Sequence, residues 1–247
     1  NFSIPNYNYS DKSLEGNISR TDTDNLRNNG YKNKLSNISL GTSFEQKQNF
    51  YFSPSLSFQY ETIETDITAS AEIKKQSGNY YDLNLDYGLY YDKRNQRFKP
   101  SSGFSSNFVQ RIPLISNNYT FKNSYSFNQY KEISDEMIGS LRFYLQSINS
   151  LSNNKNVRVS ERLQVPANRL RGFKSGNVGP IEGQTFLGGN YLTALNLGTS
   201  LPTFLPELQS LDFSIFLDAA NVWGVDYNDE LNNKSSTVRS SAGLAID

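Results

Sequence analysis

The chain has 247 residues, 24 basic and 24 acidic side chains, no cysteine and no histidine. The balanced charge gives no electrostatic field for nucleic acid, and the missing histidine removes Ser-His and Cys-His catalysis and most zinc sites. We therefore expect no enzymatic activity, no cofactor and no bound metal. Mean hydropathy is −0.61 although aromatics make up 13% of the residues. An AT-rich genome would explain this composition, but not the order of residues along the chain.

The chain contains no run of apolar residues long enough for a transmembrane helix. It opens Asn-Phe-Ser-Ile-Pro, with neither an initiator Met nor a signal peptide. We expect that processing or truncation removed the natural start.

Alternation of apolar and polar residues with period two is the main local pattern, and it predicts β-strands. The first weak segments pair Leu14, Gly16 and Ile18 with Glu15, Asn17 and Ser19, and then Ile38, Leu40 and Phe44 with Ser39, Gly41 and Ser43. A strong segment follows, with one face formed by Phe50, Phe52, Pro54, Leu56, Phe58 and Tyr60, and the other by Tyr51, Ser53, Ser55, Ser57, Gln59 and Glu61.

The pattern continues to the end of the chain. A second strong segment sets Tyr81, Leu83, Leu85, Tyr87, Leu89 and Tyr91 against Asp82, Asn84, Asp86, Gly88, Tyr90 and Asp92. Weaker segments have apolar rows at Tyr119–Phe127, Met137–Leu145 and Tyr191–Leu201. A third strong segment sets Leu211, Phe213, Ile215, Leu217 and Ala219 against Asp212, Ser214, Phe216, Asp218 and Ala220, and a final strand is predicted from about Val238 to Ile246.

Together these segments predict about ten or eleven strands of about ten residues, the length that a tilted membrane strand requires. The predicted connections include tight turns at Ser116-Asn117-Asn118 and Ser134-Asp135-Glu136. Long loops are predicted at Asp22–Tyr31, Glu64–Gly78, Ser150–Gly188 and Asp226–Ser236, and Ser70–Lys75 could form a helical turn ended by Gly78. Short turns at one end and long loops at the other are typical of outer-membrane barrels.

A soluble two-sheet sandwich would also show period two. Its polar face would meet bulk water, where Lys and Glu dominate. Here the polar rows are mostly Ser, Asn, Asp, Gln and Tyr, and Tyr and Phe concentrate near the strand ends. Because aromatic girdles occupy such positions in membrane barrels, we predict an all-β fold, a transmembrane antiparallel β-barrel, over residues 1–247.

Three motifs stand out. The first is Arg169-Leu170-Arg171-Gly172-Phe173, followed by Gly176, Gly179-Pro180 and Gly188-Gly189-Asn190 in the longest loop, about 150–188. The second is Phe216-Leu217-Asp218-Ala219-Ala220. The third runs from Tyr91-Asp92-Lys93-Arg94 to Pro100 and Gly103. Taken singly, the first motif could be a Gly- and Pro-rich loop, the second an ordinary strand and the third a polar turn.

Taken together, the motifs resemble those of the BamA-type outer-membrane assembly superfamily, which also includes TamA, two-partner secretion transporters and the mitochondrial sorting-and-assembly barrel. The resemblance implies a loop that inserts into the lumen. Its Arg171 would pair with the inward-facing Asp218, while the Tyr91–Gly103 motif forms a structural periplasmic turn and Gly188-Gly189-Asn190 leads into a strand. The chain departs from the family pattern at Val165–Asn168 and at Ala220.

The resemblance also implies that the chain covers about ten or eleven of roughly sixteen barrel strands, without the POTRA repeats and the first and last strands. It implies a central barrel that folds and inserts β-barrel proteins by strand templating at a lateral seam. The expected location is the outer membrane of Gram-negative bacteria. Expected partners are the lipid bilayer, unfolded outer-membrane proteins and accessory assembly lipoproteins, with no nucleic acid. A two-partner-secretion-type or TamA-like translocation barrel is the alternative.

We expect the 247-residue chain, expressed by itself, to require detergent. Apolar faces and two unpaired strand edges would otherwise drive association between copies. Size-exclusion chromatography with and without detergent measures this, and a monodisperse preparation in plain buffer would contradict the barrel prediction.

Overall fold

A computed structural model describes residues 1–134, 136–182, 185–202, 213–226 and 237–246. Eleven strands form one antiparallel sheet, and each pairs with its neighbours in chain order. They are β1 Phe2–Ile4, β2 Lys12–Asn25, β3 Tyr31–Lys47, β4 Phe50–Thr65, β5 Gly78–Asp92, β6 Gly103–Ser116, β7 Thr120–Ser134, β8 Met137–Ser150, β11 Tyr191–Ser200, β12 Phe213–Trp223 and β13 Arg239–Ile246. Strands β9 (Ile181–Glu182) and β10 (Thr185–Phe186) form a small separate hairpin.

The two faces of the sheet differ as the alternation predicts. In β4 the outward Leu56 and Phe58 are 50% and 47% exposed, whereas the inward Ser57 is buried. In β12 the outward Leu217 is 48% exposed and Asp218, the next residue, is 0% exposed. Successive side chains of a strand point to opposite faces, so one face of the sheet is apolar and outward and the other is polar and inward. The sheet is an all-β partial barrel.

A β-bulge interrupts the pairing of β5 with β6. Leu83 pairs with Ile115 and Asn84 with Pro113, so that Leu114 is the extra residue on β6. Proline cannot donate a backbone hydrogen bond and is tolerated in sheets at edges and bulges. The bulge therefore accommodates Pro113 without loss of the strand.

The connections lie on two rims of the sheet. One rim, here the loop rim, carries residues 26–30, 66–77, 117–119 and 151–190; the other, here the turn rim, carries residues 48–49 and 93–102. The predicted separation of short turns from long loops is only partly correct. The short connection after Ser116 lies on the loop rim, and the turn rim carries a connection of ten positions, 93–102.

Several predicted boundaries change. Strand β2 continues to Asn25, so the long loop expected at Asp22–Tyr31 is reduced to the helix α1, Leu26–Asn29, and Gly30. A second short helix, α2, spans Ala71–Lys74, and the Ser70 side chain caps it by accepting from the amide of Ile73. This confirms the predicted helical turn, although it ends at Lys75 rather than at Gly78. Leu211, Asp212, Asp135 and most of the predicted Asp226–Ser236 loop lie outside the described residues.

Apart from the outward rows, the described residues form two buried apolar clusters. One lies between the long loop and the inner face of β8, β11 and β12; the other lies at the loop rim and joins Tyr31, Ile63, Ala69, Ile73, Val159 and Leu187. Strands β1 and β13 are the two edges of the sheet. In the described part of the chain, no helix is long and apolar enough to span a bilayer.

Candidate functional site

The long loop, residues 151–190, lies against the inner face of the sheet. Apolar loop side chains meet inward-facing strand side chains in one buried cluster: Val157, Leu163, Val165, Leu170 and Val178 from the loop, and Ile148, Leu192, Ala194, Ala220 and Val222 from the strands. Each buried Val, Leu or Ile side chain of this cluster contributes about 1.5–3 kcal/mol by leaving water. The loop is therefore a packed part of the fold, inserted into the lumen as expected.

Arg171 and Asp218 form the central contact between loop and wall. The guanidinium is bidentate, with Nη2 2.7 Å from Oδ1 and Nε 2.8 Å from Oδ2, and the backbone amide of Arg171 donates to Oδ2 at 3.1 Å. The centre of the Phe216 ring lies 3.6 Å from the guanidinium carbon of Arg171. A planar fork of donors matches a carboxylate geometrically, so this pair specifies both the position and the orientation of the loop tip.

Asn196 on β11 completes the environment of the carboxylate. Its Nδ2 donates to Asp218 Oδ1 at 2.8 Å and to the backbone oxygen of Arg169 at 2.9 Å. The Asp218 side chain is wholly buried whereas that of Arg171 is 35% exposed. A buried charge is tolerated only when it is paired and hydrogen-bonded, and Asp218 receives donors from both the loop and the neighbouring strand.

The other residues of the loop motif lie around this pair. Gly172 and Phe173 follow Arg171 and face solvent, Gly176 is partly exposed, and Pro180 is buried. Gly179 and Gly189 bring the loop backbone against β12: a Cβ on Gly179 would lie 2.9 Å from Val222 Cβ, and one on Gly189 would lie 2.6 Å from the Trp223 oxygen. Any other residue at these two positions would separate loop from wall.

The segment Gly188-Gly189-Asn190 connects the loop to β11. Gly188 adopts a positive φ of 73°. Gly189 exchanges two backbone hydrogen bonds with Leu163 at 2.8 and 3.0 Å, and the amide of Asn190 donates to Trp223 and Gly224. Strand β11 begins at the next residue, so the structure places this motif where the chain leaves the loop and enters the sheet.

The third motif lies on the turn rim, far along the strands from the loop. Arg94 binds Asp92 with two hydrogen bonds, at 2.9 and 2.8 Å, and also donates to the Tyr90 hydroxyl at 2.8 Å. The outward Tyr91 packs edge-on against Phe104. Pro100 lies in the return segment of the turn, and Gly103 begins β6. The structure does not bring these residues near Arg171.

Arg158 is a second anchor, which our sequence analysis missed. Its side chain is 2% exposed and contacts three carboxylates: Asp82 at 2.6 Å, Glu161 at 3.0 Å and Glu61 at 3.6 Å. The guanidinium also lies 4.9 Å from the centre of the Tyr80 ring. Burial by itself would lower the pKa of Arg158, but the charges of Glu161, Asp82 and Glu61 outweigh it and raise that pKa above its ordinary value.

A signal for this anchor was present in the sequence. The alternation places Glu61 and Asp82 on the polar face of adjacent strands, with no cation in either row. Two inward carboxylates side by side require a partner from elsewhere. The spacing of residues in the sequence does not determine which loop arginine is the partner of these two carboxylates. Arg162 forms a further contact, with Nη2 3.3 Å from Asp226 Oδ1 beyond the end of β12.

Comparisons with known proteins agree with this architecture. The Omp85 superfamily domain matches residues 1–247. BamA from Haemophilus ducreyi lacking POTRA domains 1–3 superposes with a TM-score of 0.86 at 23% identity, over 99% of this chain and 54% of that one. CdiB from Acinetobacter baumannii superposes with a TM-score of 0.53 at 12% identity, over 94% of this chain and 40% of that one.

This chain therefore spans about half the length of the BamA structure that it resembles. A search of curated proteins by sequence found no match.

We expect Arg158→Met to destabilise the protein more than Arg171→Met. The first change leaves three carboxylates without their shared cation in a buried site, which costs about 3–5 kcal/mol. The second leaves Asp218 with two donors, the Asn196 amide and the backbone amide of residue 171, and it empties a position that is itself 35% exposed. Thermal unfolding of the detergent-solubilised protein measures both, with the exposed Arg20→Met as the matched control. Equal transition temperatures for the two anchors would contradict this ranking, and adding Asp82→Asn should restore part of the loss.

Proposed function

Because the chain belongs to the Omp85 superfamily, we propose that it is a section of an outer-membrane barrel of a Gram-negative bacterium, and that the whole barrel folds and inserts other β-barrel proteins. The observation that carries the proposal is the loop fastened inside the barrel wall by Arg171 and Asp218. The loop fills space that an open porin channel leaves to water.

The outward face supports a bilayer as the surroundings of the sheet. Large apolar side chains are exposed along most strands, among them Ile18, Leu40, Leu56, Phe58, Leu195 and Ile215. In water such a surface would drive association. In lipid it is the ordinary outer surface of a barrel.

The mechanism that we propose uses backbone hydrogen bonding and no covalent step. An unpaired strand edge in lipid leaves N–H and C=O groups without partners, at a cost of several kcal/mol for each group. At a lateral seam between the first and last strands of the complete barrel, an incoming strand would satisfy these groups by β-augmentation. Unfolded outer-membrane proteins are the proposed clients, and accessory lipoproteins the proposed helpers.

The anchored loop supports this mechanism through stiffness. Its packed cluster joins β8, β11 and β12, and Arg158 joins the same loop to β4 and β5. A wall braced in this way resists deformation, so the strain of opening would concentrate at the unbraced seam. We propose that the described strands are the braced part of the barrel.

A secretion or TamA-like translocation barrel is the second candidate. Its supporting observation is the superposition on CdiB, with its lower TM-score of 0.53. The resemblance implies the Arg171–Asp218 contact in both classes, so this pair does not separate them. The preceding sequence would: several POTRA repeats favour assembly, whereas two repeats and a plug helix favour secretion.

Charge reversal tests the anchored loop. We expect Arg171→Asp and Asp218→Arg, each in the complete protein, to lower outer-membrane barrel levels and growth, because like charges then face each other in a buried site. The double reversal should recover part of the loss. The Asn196 Oδ1, which has no partner among the described residues, can accept from the new guanidinium.

Complementation of a depleted strain, with quantitation of several outer-membrane barrels, gives the readout. Arg20→Asp on the exposed surface is the control and should behave as wild type. Normal levels of outer-membrane barrels in both single-reversal variants would contradict a role of the anchored loop in assembly. Normal barrel levels together with lost export of one secreted protein would favour the second candidate.

A further inference from the structure

Two arginines lie on the inner face beside the anchor, and neither has a carboxylate partner among the residues that the structure describes. Arg142 on β8 is in register with Asn128 on β7 and Asn196 on β11, and Asn196 is in register with Asp218. Residues in register share a face of the sheet. Arg142 therefore faces the lumen, two strands from Asp218, and its side chain is exposed there.

Arg169 reaches the same strand from the loop. Its backbone oxygen accepts from Asn196 Nδ2, which places its main chain above β11. Its guanidinium carbon lies 4.8 Å from the centre of the Tyr144 ring. Tyr144 follows Arg142 by two residues on β8 and so faces the same way. The two guanidinium groups thus approach the same patch of inner wall, one from the strand and one from the loop.

The two positive charges lie on one patch of wall, because Tyr144, which Arg169 contacts, is two residues from Arg142 on the same face of β8. Burial lowers the pKa of Arg169, and the positive charge of Arg142 lowers it further, against the opposing effect of Tyr144. Tyr130 on β7 is in register with Ser140 on β8, so its side chain also faces the lumen. Two like charges in a partly enclosed space repel, and an anion between them would relieve the repulsion.

Other inward arginines are paired differently. Arg111 binds Asp86 at 2.7 Å, and Arg158 and Arg171 bind the carboxylates described above. Within the described ranges, neither Arg142 nor Arg169 takes part in a salt bridge. The unmatched pair is therefore a local feature of the β8 wall beneath the loop and not a general property of the lumen.

We propose that Arg142 and Arg169 form a binding site for the carboxylates of an acidic, extended polypeptide segment inside the barrel. Guanidinium groups bind carboxylates through paired, charge-assisted hydrogen bonds. The inward neighbours Ser126, Asn128 and Ser140 are hydrogen-bonding side chains, suited to a peptide backbone. They offer no apolar surface for the acyl chains of a lipid.

This anion site does not depend on the proposed function. The further statement that the acidic segment belongs to a client protein does rest on it. Peptide binding to the purified protein tests the anion site. Levels of outer-membrane barrels in cells test the assignment to a client protein, so the two statements can fail separately.

The experiment uses the complete protein in detergent and a fluorescent peptide of alternating Ser and Glu. Fluorescence anisotropy should show saturable binding that weakens with salt, and peptides of alternating Ser and Gln or Ser and Lys should not bind. Arg142→Gln with Arg169→Gln should weaken binding by about tenfold or more, because the charge-assisted hydrogen bonds to the carboxylates are lost. Arg20→Gln, which removes the same charge from the outer surface, should leave binding unchanged.

Other results would overturn the site. The site is rejected if the double variant and Arg20→Gln bind the acidic peptide with equal affinity. Heat-modifiability on gels must show that both variants are folded. If the double variant does not fold, Arg142→Gln by itself decides, because its side chain is exposed to the lumen; unchanged binding then rejects the site. Stronger competition by short-chain phosphatidylglycerol or by pyrophosphate than by unlabelled acidic peptide would identify a phosphate site and overturn the polypeptide assignment.

Discussion

Each strand sends alternate side chains to opposite faces, and this constraint governs the rest of the structure. One face takes the apolar rows and the other takes Ser, Asn, Asp, Glu and Arg. The inner face therefore carries charges, such as Asp82 and Asp218, that cannot be buried without partners. The long loop supplies those partners and brings enough apolar side chains to pack against the wall. Loop and sheet depend on each other.

The loop reaches two separate parts of the wall. Arg158, near its beginning, contacts carboxylates on β4 and β5, and Arg171 contacts β12. The two anchors differ in exposure: Arg158 is almost fully enclosed, whereas Arg171 is 35% exposed. Such ion pairs add specificity more than stability, since desolvation offsets much of the attraction. Together they select one arrangement of a loop that has little regular structure of its own.

The charges on the inner wall are not uniformly balanced. Asp82, Asp86 and Asp218 each form a salt bridge with an arginine. Arg142 and Arg169 lie on the β8 side of the lumen, where Arg169 contacts Tyr144. The loop thus contributes Arg158 and Arg171 to contacts with the wall, whereas Arg169, two residues before Arg171, lies against Tyr144 on the β8 side. An anchor and a surface for other molecules are adjacent in the chain and in space.

Local pattern in the sequence determined most of the strands, the two faces and the inward position of Asp218, because period two is a property of neighbouring residues. It did not locate β1 or β6. The motifs around Arg171 and Phe216 also indicated the family and the loop–wall pair. Tertiary structure alone decided that Arg158 binds Glu61 and Asp82, that Arg169 contacts Tyr144 on the face that also carries Arg142, and that β2 extends to Asn25. These features join residues far apart in the chain through strand register and loop path, and no spacing in the sequence encodes which distant side chains come together.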